Sequence, residues 1–259
     1  MRPQTYKVRK GTSKFKEFEN LIGLGIGVKK TQNAVVFLPV YLNAGINFKS
    51  KPVTMKYYVP LLADNIYHIV SRAVGNEKLF LTDDNYLFFL QRYNKYILPI
   101  ADTFAWSLLP NHFHFLIQVK SYPELQGFFE KIKPGAEEKE DWQPKFVMQQ
   151  FSNLLNSYTK SFNKKYNRKG ALFMDYLRRV EIKSAAQYSS TVFYIHKNPV
   201  HHGYCKKIID WHWSSYNTIL STAPTNIQRQ KILEWFGGRE KFIEFHDQRI
   251  DLKNGGDLE

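Results

Sequence analysis

The sequence predicts an α+β sandwich on a mainly antiparallel sheet, with helices packed on one face and the functional site on the other. Three observations carry this. The elements run strand, helix, strand, strand, helix, strand, helix. The segment from Asn111 to Val119 alternates strictly, placing Phe113, Phe115, Ile117 and Val119 on one side and His112 and His114 on the other. The run Ser184-Ala185-Ala186-Gln187 is a capping box that opens a well-marked helix.

In chain order, 56–73 is rich in β-branched and aromatic residues and reads as a strand pair or one long strand. Thr82-Asp83-Asp84 supplies a cap and an acidic first turn for a helix that stops before Pro99. Two strands follow at 101–109 and 112–119, broken by Pro110-Asn111. Next come a helix near 123–131, a charged loop over 133–144 and a longer helix over 145–166. Gly170 restarts the chain into a strand over 172–182. The capped helix then runs to about Asn198, where Pro199 is expected to end it.

The chain has 259 residues, 43% hydrophobic and 16% aromatic, enough to bury a sizeable core. Its net charge of +14 and pI near 9.6 point to a polyanionic partner. The excess is uneven, because ten Lys/Arg against two Asp/Glu fall in residues 1–54. That segment is expected to be a basic extension: either a flexible arm or a stretch preceding a natural start at Met55. The single cysteine, Cys205, excludes an internal disulfide and fits a reducing cytoplasm. No apolar run nears the roughly 20 residues of a membrane helix, and no secretory signal is legible. The expected organisation is 1–54 extension, 55–222 catalytic domain and 223–259 helical tail, in a cytoplasmic protein.

His112 and His114 sit about 7 Å apart along one strand face. Two imidazoles so placed can close on one divalent cation if a third ligand arrives from elsewhere. Tyr194 and Asn198, four residues apart, share a face of the capped helix. Laid over the histidine strand, that face brings a phenol to attack and an amide oxygen to complete the ligand set. Either half alone is weak: an H-x-H triplet can simply decorate a polar strand face, and one of sixteen tyrosines near an Asn is unremarkable.

The strings LLPNHFHFLIQV, SYTKSFNKKYNRKGALF and YIHKNPVHHGY…DWHWSSY, in that order, resemble the transposases associated with repeated extragenic palindromes, a branch of the single-tyrosine HUH transposases. The resemblance spans roughly Met55 to Tyr216; the 54-residue leader and the chain after about Ala223 lie beyond it. It implies a ferredoxin-like sheet, Mg²⁺ or Mn²⁺ on His112, His114 and Asn198, and Tyr194 as the nucleophile. The implied activity is cleavage of single-stranded, hairpin-associated DNA through a 5′-phosphotyrosine, leaving a 3′-hydroxyl that can rejoin strands. With one tyrosine per chain, two-ended transposition needs a homodimer or sequential turnovers. Neutral imidazoles are required for ligation, so activity should fall on acidification.

For DNA contact, Lys160, Lys164, Lys165, Arg168 and Lys169, interleaved with Phe162 and Tyr166, read as a backbone groove with stacking surfaces, continued by Arg178 and Arg179. A solvated helix end is the plainer reading of any one lysine. His68 and Arg72 share a strand face and reach either the site or the core. His201, His202 and Cys205 are loop candidates for zinc, at a spacing that fits no established pattern. Two rival functions stand beside strand transfer: a hairpin-binding protein with idle chemistry, and a metal-dependent phosphoesterase that uses water.

Overall fold

Alternation along the histidine strand organises the whole molecule. The computed structural model describes residues 59–137, 141–175 and 177–247; the expected basic extension and the end of the tail lie outside them. Four strands, β1 (Ile66–Arg72), β2 (Ala101–Leu109), β3 (His112–Val119) and β4 (Arg178–Glu181), form one antiparallel sheet in the order β2-β3-β1-β4. Helix α1 (Asp83–Tyr96) follows β1, α2 (Tyr122–Ile132) and α3 (Trp142–Lys165) follow β3, and α4 (Ala185–His201) follows β4. This is the ferredoxin-like βαββαβ arrangement, with each crossover skipping one strand.

Phe113, Phe115, Ile117 and Val119 are buried with Tyr67 and Ile69 beneath α1 and α3, which contribute Phe89, Tyr93, Phe151, Leu154 and Tyr158. Phe115 stacks on Tyr93 with ring centroids 4.1 Å apart. The opposite face carries the histidines and a second core. There Ile66, Phe104, Ala105 and Leu116 meet Tyr188, Val192 and Ile195 of α4. Helices α5 (Ser215–Leu220), α6 (Arg229–Phe236) and α7 (Arg239–Asp247) complete this side, with Ile232 and Phe242 fully buried. A bulge between Thr103 and Ala105 turns both Phe104 and Ala105 to this face, and Ser107 then pairs with His114.

The structure corrects three element boundaries. The long strand over 56–73 is confined to Ile66–Arg72. Ahead of it Asp64 adopts a left-handed conformation, and Tyr67 donates its hydroxyl hydrogen to the Pro60 carbonyl, folding 60–65 back. The strand over 172–182 shrinks to Arg178–Glu181; among the described residues upstream, Phe173 makes an isolated bridge to Ala73. Pro199 does not end α4. It removes one donor within the last turn, and the helix continues to His201. Gly203, at φ 73°, is the terminator: its N–H bonds the Val200 carbonyl and that of Tyr204 bonds the Pro199 carbonyl, a Schellman motif.

Truncating Phe115 removes a ring packed against Tyr93, Phe89 and Phe113. Phe115→Ala is expected to cost about 3–5 kcal/mol in urea unfolding, as for other deeply buried aromatics; a loss under 1 kcal/mol would contradict this account of the core.

Candidate metal and nucleophile site

The site forms where the inner face of α4 meets the polar face of β3. On β3 the even-numbered residues face α4: His112 opposite Arg72 of β1, His114 opposite Val70, and Leu116 opposite His68. On α4 the four-residue repeat aligns Tyr194, Asn198 and His202 along one stripe. The structure therefore brings all four expected residues together. His112 Nε2 lies 3.0 Å from Asn198 Oδ1, and the His112 and His114 ring centroids are 5.1 Å apart. The Tyr194 ring meets His114 edge-on at 5.4 Å.

The hydrogen bonding around His112 is informative. Its Nδ1 faces Asn111 Oδ1 at 2.8 Å while its Nε2 faces Asn198 Oδ1. A neutral imidazole has one N–H and cannot donate to both oxygens. A second proton is disfavoured, since burial, reinforced by His202 and Arg72, pushes His112 down to about 4 despite the opposing Asn198 contact. One contact is thus acceptor against acceptor, resolved by turning an amide over or by a cation. With Nδ1–H on Asn111, the Nε2 lone pair and Asn198 Oδ1 are two ligand atoms 3.0 Å apart. That is about the edge of an octahedron with metal–ligand bonds of about 2.1 Å. His114 Nε2 and Asn198 Nδ2 are buried without hydrogen-bond partners. The donor set of two imidazoles and an amide oxygen fits a divalent ion.

Among the described residues, no group of three or more His, Cys, Asp and Glu side chains is arranged to hold a metal. An ion here would therefore depend on Asn198. His201, His202 and Cys205 form no zinc cluster; instead the His202 ring packs edge-on to His112 at 4.9 Å.

His68 enters the site more closely than its sequence context implies. It is fully buried, its Nε2 lies 3.0 Å from His114 Nδ1, and the rings stack at 5.1 Å. When His114 donates through Nδ1, its Nε2 keeps the lone pair needed for ligation, so His68 governs the tautomer of its neighbour. Burial, helped by Arg178, holds His68 down at about 3, and burial, reinforced by His68, His112, His202 and Arg178, holds His114 well below the usual histidine range.

The expected DNA-contact residues divide. Arg178 lies on the site face, its charge felt by His68 and His114. Arg179 points to the other face, where it donates to the Val59 carbonyl and touches the Met148 sulfur. Lys160, Lys164, Lys165 and Lys169 are exposed, but on and beyond α3, across the sheet from the histidines. Lys165 pairs with Asp84, and Arg168 holds Glu77 together with the carbonyls of Gly170 and Ala171. Phe162 is buried, which removes it as a stacking surface, while half-buried Tyr166 donates its hydroxyl hydrogen to Asn85.

Access is the other feature. Tyr194 and His114 are 2% exposed and Asn198 is fully buried; only His112 reaches solvent. Helix α4 is pinned in this closed position by a buried chain. Ser215 faces His196 Nε2 at 2.7 Å, His196 Nδ1 faces His246 Nε2 at 2.9 Å, and His246 Nδ1–H donates to the Phe242 carbonyl.

No protein-family model matches the chain, and no curated protein matches it. A solved structure described as a REP-associated tyrosine transposase bound to a REP hairpin is similar over 65% of this chain and 87% of that one, at 16% identity and a TM-score of 0.43. A likeness that distant carries no functional argument. Among the described residues no helix is long and apolar enough to cross a membrane.

Four buried histidines (His68, His114, His196 and His246) and half-buried His112 have depressed proton affinity, each chiefly through desolvation, with His246 at about 4. Unfolded, each takes a proton near pH 6.5; folded, none does until far lower, so stability is complete above 6.5 and lost on acidification. The loss should grow as the pH falls further below 6.5, because the unfolded chain gains protons that the folded chain does not. Urea midpoints should fall steeply between pH 7 and 5; a flat profile would overturn this assignment.

Proposed function

We propose that the chain is a metal-dependent, single-tyrosine DNA strand transferase of the HUH type, acting on unpaired or hairpin-associated DNA. The observation that carries this is the convergence of Tyr194 and Asn198, from one stripe of α4, on His112 and His114 of β3. A phenol beside a two-imidazole, one-amide donor set is the equipment for phosphoryl transfer to tyrosine. Neither rival function needs the phenol there.

His112, His114 and Asn198 would hold Mg²⁺ or Mn²⁺, with His68 orienting His114. Bound there, the ion supplies Lewis-acid polarisation of a phosphate oxygen. Tyr194 Oη attacks phosphorus in line, loses its proton, and forms a P–O ester to the 5′ side. The P–O3′ bond breaks and the departing oxygen becomes a 3′-hydroxyl. Attack by another 3′-hydroxyl reverses the step and joins strands, since the ester conserves the bond. Because Tyr194 is buried, DNA must be accompanied by movement of α4 or of the phenol ring before attack. The catalytic unit is proposed to span 55–222; one phenol per chain leaves two-ended reactions to a homodimer or to sequential turnovers.

Incubation with labelled single-stranded hairpin DNA and Mn²⁺ is expected to give a covalent protein–DNA adduct on a denaturing gel. Tyr194→Phe should abolish the adduct, and His114→Ala should lower its rate at least about 100-fold. Cleavage surviving in Tyr194→Phe would support the phosphoesterase; binding without cleavage would support the hairpin reader. Without DNA, Mn²⁺ should raise the melting temperature of the wild type in a concentration-dependent way. It should not raise that of Asn198→Ala; equal shifts in both would remove Asn198 from the ligand set.

A further inference from the structure

Beyond Gly203 the chain carries a feature that the chemistry above does not use. Rings follow one another outward from the site: His114 to His112 at 5.1 Å, His112 to His202 at 4.9 Å, His202 to Tyr204 at 6.4 Å and Tyr204 to Trp211 at 5.6 Å. Exposure rises along the series, from 2% at His114 to 42% at Tyr204. The outer rings are held in place. Tyr204 is fixed by its N–H in the Schellman motif, and Trp211 donates its indole N–H to the Leu108 carbonyl at 3.1 Å. Beneath them Trp213 stacks on buried Tyr86 at 4.4 Å, a rigid floor.

The charges fit a nucleic-acid strand. Arg72 is exposed and lies opposite His112 across the strand pair, and Lys206 and Lys207 are exposed beside Tyr204. Among the described residues none of these three is in an ion pair, unlike Lys165 and Arg168 on the far side of the sheet. Asp210, the one acidic residue between Asn198 and Trp213, turns its carboxylate back to the Lys207 N–H. Exposed rings with uncommitted cations alongside are the pattern by which proteins hold unpaired strands, bases on the rings and phosphates on the cations.

We infer that His202, Tyr204 and Trp211, flanked by Arg72, Lys206 and Lys207, form a stacking track that receives single-stranded DNA and leads it to His112. The assignment rests on the proposed function for its direction of travel, but binding on the track needs neither metal nor Tyr194. That separates the two tests.

A fluorescein-labelled twelve-residue oligo-dT, titrated in EDTA into the full chain carrying Tyr194→Phe, should bind with anisotropy that saturates and quench tryptophan fluorescence. Tyr204→Ala should weaken binding about ten-fold and Tyr204→Trp should restore it, as a stacking role demands. Tyr122→Ala, an equally exposed ring elsewhere, should leave binding unchanged. Trp211→Phe should remove most of the quench. Arg72→Gln should lower the slope of log affinity against log salt by about 1. Unaltered affinity in Tyr204→Ala, with unaltered circular dichroism, would overturn the track while leaving strand transfer standing. Loss of binding in Tyr204→Ala, alongside a chain with Tyr194 intact that forms no adduct with hairpin DNA and Mn²⁺, would uphold the track and sink strand transfer. Failure of the parent protein to bind oligo-dT at all would overturn the track.

Discussion

The packing of α4 against the polar face of β3 is the constraint on which everything else depends. A sheet face bearing His68, His112 and His114 would ordinarily be left to water. Here a helix covers it, so each imidazole must find a partner or remain neutral. The result is a chain of contacts from His68 through His114 to His112 and Asn198, in which unpartnered nitrogens and an opposed pair of acceptors persist. Buried polar atoms left in that condition are costly in an inert core and are expected where a ligand completes the set.

Covering the face has a second consequence. The helix that carries Tyr194 also covers the site, and it is held there by His196, Ser215 and His246, none of which belongs to the proposed metal ligands. Helix α7, which lies outside the recognised motifs, thereby bears on the position of Tyr194: it supplies His246 and buries Phe242 against the α4 layer. Neutrality of these histidines couples integrity of the closed form to pH through the same physics that keeps the candidate ligands deprotonated.

Much of this was legible in the sequence, because the determining signals are local. Strict alternation in His112–Val119 fixed which residues enter the first core, and the four-residue spacing placed Tyr194 and Asn198 together. The failures are equally physical. Taking Pro199 as the stop hid the fact that the helix continues to His201, with its C-cap at His202; continued by one more step of four, the stripe reaches His202. His68 shares strand parity with Arg72, but parity cannot say that a diagonal neighbour two rungs away will be His114, which requires the β1–β3 register. The basic run ending at Lys169 shows a different limit of sequence reading. Charge density in sequence does not reveal that Asp84 and Glu77, some 80 to 90 residues earlier, neutralise part of it.

His112 has a singular position in this arrangement. It is the one candidate ligand with solvent access, it is held by Asn111 on one side and Asn198 on the other, and the ring of His202 rests against it. On the proposed track, a strand arriving over Tyr204 would meet Arg72 and His112 before any buried group. The contact between His112 and Asn198 ties the end of α4 to β3 four residues beyond Tyr194. The edge of the site that meets solvent is thus also the edge at which β3 holds the end of α4, so a ligand reaching His112 from outside would act directly on the contact that closes the site over Tyr194.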